Sequence, residues 1–233
     1  MEKQDSGTIA DRRSKFNPRF RRFRMAISSL RLAPHLVVML CMTDKRIVEA
    51  DLSRWAESKA LEKPRTPWDF IVLFVLFMTF TKAYRNVFYL RLGIKSYLLR
   101  WLCPSLGSLK IDSGHIGPGL YIVHGENTFV TAESIGANCQ IGRHVVMGFA
   151  NGAVPVVGDN VNILSGAKII GKVTIGHNAT IGLNTVVLHN VEPYTTVLGV
   201  PARVECAGPP SALAHLEAGR QSDAPGSGPA IPG

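Results

Sequence analysis

Residues 157–188 read "VGDNVNILSGAKIIGKVTIGHNATIGLNTVVL", with an aliphatic side chain at every sixth position: Val157, Ile163, Ile169, Ile175, Ile181 and Val187. Gly158, Gly176 and Gly182 directly follow three of them. A helix repeats at about 3.6 residues and a strand at about 2, so a period of six fits neither. It fits a solenoid with short flat sides and tight corners, in which the aliphatic residue points into a narrow stack. Three six-residue sides make an 18-residue turn, which places Val157 under Ile175, Ile163 under Ile181, and Ile169 under Val187.

The register runs backwards through Ile135, Ile141 and Met147, and then through Ile116, Ile122 and Phe129. One extra residue falls between Ile122 and Phe129, and four fall between Met147 and Val157. The longer excess includes "GFANGAVPV" (148–156), expected to project as a loop from a corner.

Around this repeat the chain divides by composition. Residues 1–25 form a basic arm, with eight Lys or Arg against three Asp or Glu up to Arg24, and are expected to be disordered. Residues 26–108 have a helical pattern, residues 109–206 hold the repeat, and residues 207–233, rich in Pro, Gly, Ala and Ser, are expected to form a flexible tail. In the helical region Ile47, Leu52 and Trp55 have amphipathic spacing in a helix ending near Pro64. A second helix is expected from a Thr66 cap with Pro67 at its first position.

"FIVLFVLFMTF" (70–80) is apolar on every side but too short to span a bilayer, which takes about 20 such residues. It reads either as a buried helix or as a membrane-surface helix assisted by the arginines around it.

The chain has 233 residues and a formal charge of +9, of which residues 1–24 contribute +5. Such an arm is attracted to anionic surfaces or is simply solvated. Cys41, Cys103, Cys139 and Cys206 are widely spaced, which argues against a disulfide framework and for a reducing compartment. The charged N-terminus lacks a signal-peptide pattern, so the expected location is the cytoplasm, with the inner membrane face as the site of any lipid contact.

The hexapeptide repeats, "IGPGLYIVH" (116–124) leading into them and the closing "GVPARV" (199–204) resemble the left-handed β-helix acyltransferases. The nearest group is the serine O-acetyltransferases and their relatives associated with polysaccharide synthesis. The resemblance covers about residues 44–206 and includes an N-terminal helical region like "DLSRW" and "YRNVFYLRL". It implies a mainly β fold: a left-handed parallel β-helix of about four to five turns preceded by helices. It also implies acetyl transfer from acetyl-CoA to a hydroxyl, on L-serine or on a sugar of a polysaccharide precursor.

By that resemblance His124 is the general base, suited to the task because an imidazole titrates near neutrality. The family's carboxylate partner falls here on Leu109, leaving Asp112 as the nearest candidate and Glu126 as the next. Gly148, Gly166, Ala167 and Lys168 are the expected acetyl-CoA contacts, with Arg203 placed to meet the CoA phosphates. Asn151 and His144 are the expected acceptor contacts.

Two positions depart from the serine enzymes. Val123 replaces an Asp before the base, and Val154 replaces a loop His that helps hold the amino acid. No metal is expected, because no two histidines stand at the spacing that zinc-binding β-helices use. The expected partners are a small-molecule acceptor, further copies of the chain as a homotrimer or dimer of trimers, and a peripheral membrane contact, but not nucleic acid. The alternative is a non-catalytic β-helix scaffold.

Overall fold

The computed structural model describes residues 31–42 and 44–207; the basic arm and the chain beyond residue 207 lie outside the described residues. It forms two compact units, divided between Gly107 and Ser108.

The first unit is helical: α1 (Arg31–Leu40), α2 (Lys45–Ser58), α3 (Pro67–Phe80), α4 (Lys82–Leu92), a 3-10 turn (Gly93–Lys95) and α5 (Ser96–Leu102). Thr66 caps α3 as its sequence suggests. Its Oγ1 accepts from the Asp69 N–H at 3.2 Å, while Asp69 Oδ2 accepts from the Thr66 N–H at 2.8 Å. Helix α2 ends at Ser58, well before Pro64, and buries Val48 rather than Ile47 alongside Leu52 and Trp55.

Helix α3 buries one side, with Leu73, Phe74, Phe77 and Met78 in the core, and leaves Val72 and Phe80 exposed. Its rings pack with those of neighbouring helices: Phe74 and Phe88 have centroids 4.9 Å apart, and Trp55 and Tyr84 are 5.4 Å apart. The chain turns by 115° between α3 and the Lys82–Leu102 run. Buried Arg85 holds this turn, donating to the carbonyls of Met78 and Pro104 at 2.7 Å each and of Thr79 at 2.9 Å. These include carbonyls that the end of α3 leaves without helical partners. Among the described residues no single helix is long and apolar enough to cross a membrane.

The second unit is a parallel β-solenoid. Its strands are β1 (Leu109–Ile116), β2 (Tyr121–Ile122), β3 (Thr128–Ile135), β4 (Gln140–Ile141), β5 (Val146–Gly148), β6 (Val156–Val157) and β7 (Asn162–Ile163). There follow β8 (Lys168–Ile170), β9 (Thr174–Ile175), β10 (Thr180–Ile181), β11 (Val186–Val187), β12 (Thr195–Leu198) and β13 (Arg203–Ala207).

The strands stack into three faces. The first runs through β1, the start of β3, β5, β8 and β11. The second runs through the ends of β1 and β3, then β6 and β9. The third runs through β2, β4, β7, β10 and β12, and antiparallel β13 closes its edge. The inward columns are those that the period of six implies; Ile141, Ile163 and Ile181, for example, stand in register and are fully buried.

Deleting one such side chain leaves a void that the stack cannot close. Ile163→Ala is expected to cost about 2–5 kcal/mol in a urea titration followed by circular dichroism. Leu183→Ala, at a 63% exposed position, should change stability by less than about 0.5 kcal/mol.

The structure corrects the first turn. Phe129 points outward and is 44% exposed, whereas Val130 is 1% exposed and pairs with inward Met147. Val130 follows Ile122 by eight positions, so the corner between them holds two extra residues instead of one. The second irregularity is a short hairpin. Ala150 and Ala153 exchange two 3.1 Å hydrogen bonds around Asn151 and Gly152, both at positive φ.

Candidate active site

The widened corner between the third and first faces is where His124 sits. Val123 N–H donates to the Ile141 carbonyl at 2.8 Å, and Gly125 N–H donates back across His124 to the Val123 carbonyl, also at 2.8 Å. With His124 at φ +65° this is a γ-turn of the strained, positive-φ kind. The same two-residue closure recurs from Val173 N–H to Gly171 O, but there the central residue, Lys172, is not at positive φ. Glycine takes that conformation without steric cost, whereas a non-glycine residue held there stores strain of order 1–3 kcal/mol. The exposed imidazole is therefore presented by a turn held at positive φ by a non-glycine residue.

Several expected site residues share this edge. His144 N–H donates to Glu126 O at 3.0 Å, Gly166 N–H to Arg143 O at 2.9 Å, and Asn184 N–H to Ser165 O at 3.1 Å. His144, Gly166 and Asn184 thus stack on successive turns at the His124 corner. Gly166 has φ +81°, and any Cβ there would strike the Asn184 side chain. Ala167 is buried just past it. Exposed Lys168 follows, its Nζ donating to the Gly166 carbonyl at 3.4 Å.

Lys168 also belongs to an outward row of the first face formed by Lys110, Phe129, Val146, Lys168 and Val186 in register. Lys110 Nζ lies 6.0 Å from the centre of the Phe129 ring. The outward Phe129 beside the His124 corner was missed by the sequence reading, which had counted it as core. At the far end of the edge, Val186 N–H donates to Gly199 O at 3.1 Å and Ala202 N–H to Val186 O at 2.8 Å. This folds "GVPAR" over the last turn and sets exposed Arg203 beside Leu198. His124 to Arg203 spans five strand spacings, roughly 24 Å at about 4.8 Å each.

Other expected residues are not brought together with these. Asp112 pairs with Thr131, three positions beyond Leu109, which pairs with Thr128 at the His124 end. At about 3.3 Å per residue this carries Asp112 roughly 10 Å along the first face from the His124 corner. Glu126, two residues away at the same corner, is the nearer carboxylate. Gly148 and Asn151 lie at the opposite end of the first face, where Gly148 O accepts from Gly171 N–H at 3.0 Å.

An open groove of about 640 Å³ runs along the second face instead, past His115, Asp159 and His177. There Asp159 N–H donates to His177 Nδ1 at 3.0 Å, and Asp159 Oδ1 accepts from Ala137 N–H at 2.7 Å. Gly136, Gly158 and Gly176 are among its lining residues, and it does not include His124. Size alone does not make it the reactive centre. Among the described residues no group of three or more His, Cys, Asp or Glu is placed to hold a metal ion.

Fold and edge together define a hexapeptide-repeat β-solenoid with an imidazole presented at one corner. No protein-family model matches the chain. It is 36% identical to a serine acetyltransferase of Staphylococcus epidermidis over 134 residues, 53% of this chain and 59% of that one. It is 39% identical to that of Staphylococcus xylosus over 107 residues, 41% of this chain and 47% of the relative. The chain thus spans about half to three fifths of the length of these curated relatives.

Among solved structures, Neisseria gonorrhoeae serine acetyltransferase in complex with serine matches with a TM-score of 0.54 and 27% identity, covering 70% of this chain and 69% of that one. The Brucella abortus enzyme in complex with coenzyme A matches with a TM-score of 0.57, covering 73% and 71%. At 21% identity that second likeness establishes the fold. The chain is homologous to serine acetyltransferases over the matched segment and shares their β-solenoid.

Proposed function

We propose that the protein is an acetyl-CoA-dependent O-acetyltransferase in which His124 is the general base. The observation that carries this reading is the strained turn that presents His124 on the edge shared by His144, Gly166, Lys168 and the "GVPAR" close. His124 takes the hydroxyl proton as the acceptor oxygen attacks the thioester carbonyl. Backbone N–H groups along the edge steady the tetrahedral oxyanion. Collapse expels CoA as thiolate, the imidazolium returns the proton to it, and the products are the O-acetyl ester and CoA thiol. No acyl-enzyme forms. Lys168 and Arg203 supply positive charge for the CoA phosphates, and neighbouring copies in a trimer complete the site.

L-serine is the acceptor that the relatives suggest. A sugar hydroxyl is the second reading, favoured by Val154, which leaves the 148–156 hairpin without an imidazole to bind an amino acid. The test is thiol release from acetyl-CoA with L-serine and with a panel of sugars in turn. Serine-dependent release establishes the first acceptor, and release with sugars alone establishes the second.

CoA binding has its own signature. A ligand that binds only the native state stabilises it by about 2.7 kcal/mol at 100 times Kd. The melting temperature should therefore rise with CoA concentration and rise less in Lys168→Ala. A melting temperature unchanged by CoA would favour the scaffold.

A further inference from the structure

The helical unit carries an apolar surface that its own core does not use. Ile94, Tyr97, Leu98 and Trp101, spaced i, i+3, i+4 and i+7, are 87%, 73%, 84% and 88% exposed. They form one side of the helical run made by the 3-10 turn and α5, while Ser96, Leu99 and Cys103 are buried on the other side. Four large apolar side chains at such exposure are a contiguous patch, which a soluble surface seldom leaves uncovered.

The charges around the patch indicate what covers it. Exposed Lys95 and Arg100 interleave with the apolar residues, and the Arg100 guanidinium lies 5.7 Å from the Tyr97 ring centre. From Phe70 to Gly107 the sequence has no acidic residue, against Lys82, Arg85, Arg91, Lys95 and Arg100. Arg85 and Arg91 are engaged inside the unit. An exposed Trp, Tyr, Leu and Ile stripe interleaved with unopposed cations suits the headgroup boundary of an anionic bilayer: aromatic rings favour that depth, and cations near the surface gain from the lipid charge.

We propose that the outward face of α5 and its preceding turn, led by Trp101 and Leu98, docks the protein on an anionic lipid surface. This places the contact on α5 rather than on the apolar run 70–80, which commits Leu73, Phe74, Phe77 and Met78 to the core. It stands independently of the acyl-transfer reading.

The test uses the full chain with vesicles of phosphatidylcholine containing phosphatidylglycerol, and with phosphatidylcholine alone. Co-sedimentation with the anionic vesicles is expected, with a blue shift of tryptophan emission and weakening by added salt. Leu98→Ser/Trp101→Ser should lower vesicle affinity roughly tenfold or more, since burial of each side chain is worth about that factor. Its melting curve and its thiol release on a soluble acceptor should match those of the parent. Ile94→Ser/Tyr97→Ser should act in the same direction. Undiminished binding of both variants would assign the contact elsewhere and overturn the proposal. So would equal affinity for neutral and anionic vesicles, or no binding to either. Loss of self-association in the variants, with no vesicle binding by the parent, would identify the stripe as a contact between copies and overturn it equally.

Discussion

Replacing His124 with alanine is expected to lower acetyl-CoA-dependent thiol release by roughly 10²–10⁴-fold, the contribution typical of a positioned general base. The loss should fall on kcat, because the imidazole acts as the oxygen attacks and is not needed to hold CoA. The CoA-induced rise in melting temperature should therefore persist. His124 also occupies a positive-φ turn, so a second replacement separates chemistry from conformation. Asparagine tolerates the left-handed region better than most residues, so His124→Asn keeps the turn while removing the base. If both variants lose activity and both retain CoA binding, the imidazole is the cause. If His124→Asn keeps near-parental activity, His124 is a turn residue and the base lies elsewhere.

Asp51→Ala is expected to produce the largest loss of stability in the helical unit. Asp51 on α2 holds Arg91 on α4 through two hydrogen bonds, Nε to Oδ2 at 2.9 Å and Nη2 to Oδ1 at 3.1 Å. Both side chains are almost fully buried, at 8% exposure for Arg91 and 2% for Asp51. Removing one partner leaves a guanidinium without its counter-charge in a low-dielectric site, which costs about 3–5 kcal/mol. The double replacement Asp51→Leu/Arg91→Met should recover most of that loss, because it also removes the uncompensated charge. All three tryptophans, Trp55, Trp68 and Trp101, lie in this unit, so fluorescence-monitored urea unfolding reports on it directly. A loss below about 1 kcal/mol for Asp51→Ala would contradict the importance given to the pair.

The repeat could be read from sequence because a solenoid writes each inward position at a fixed interval. Ile135 through Val187 all lie where the period places them, and most steps between them are of six. Corners break the rule. Phe129 and Val130 are both apolar neighbours, and nothing in the sequence says how many residues the turn at His124–Asn127 consumes. Only the pairing of Val130 with Met147 decides between them.

The position of Asp112 depends on the register in the same way. Its closeness along the chain to the "IGPGLYIVH" stretch does not convey that β1 carries it across the face, away from His124. In the helices, the run 70–80 drew attention by its hydrophobicity, yet one side of it packs into the core. The exposed stripe was present as an i, i+3, i+4, i+7 pattern at Ile94–Trp101, but periodicity alone does not tell an inward face from an outward one. The groove on the second face brings together His115, Asp159 and His177 from different turns, which requires the register.

The central claim is acetyl transfer from acetyl-CoA to a hydroxyl, and the most direct measurement is thiol release by the purified full-length protein. L-serine and sugars are supplied in turn, and mass spectrometry of the acceptor is run alongside. The expected result is acceptor-dependent release with one equivalent of O-acetyl product per thiol. No release with any acceptor, together with a melting temperature unchanged by CoA, would contradict the claim and leave a β-solenoid scaffold.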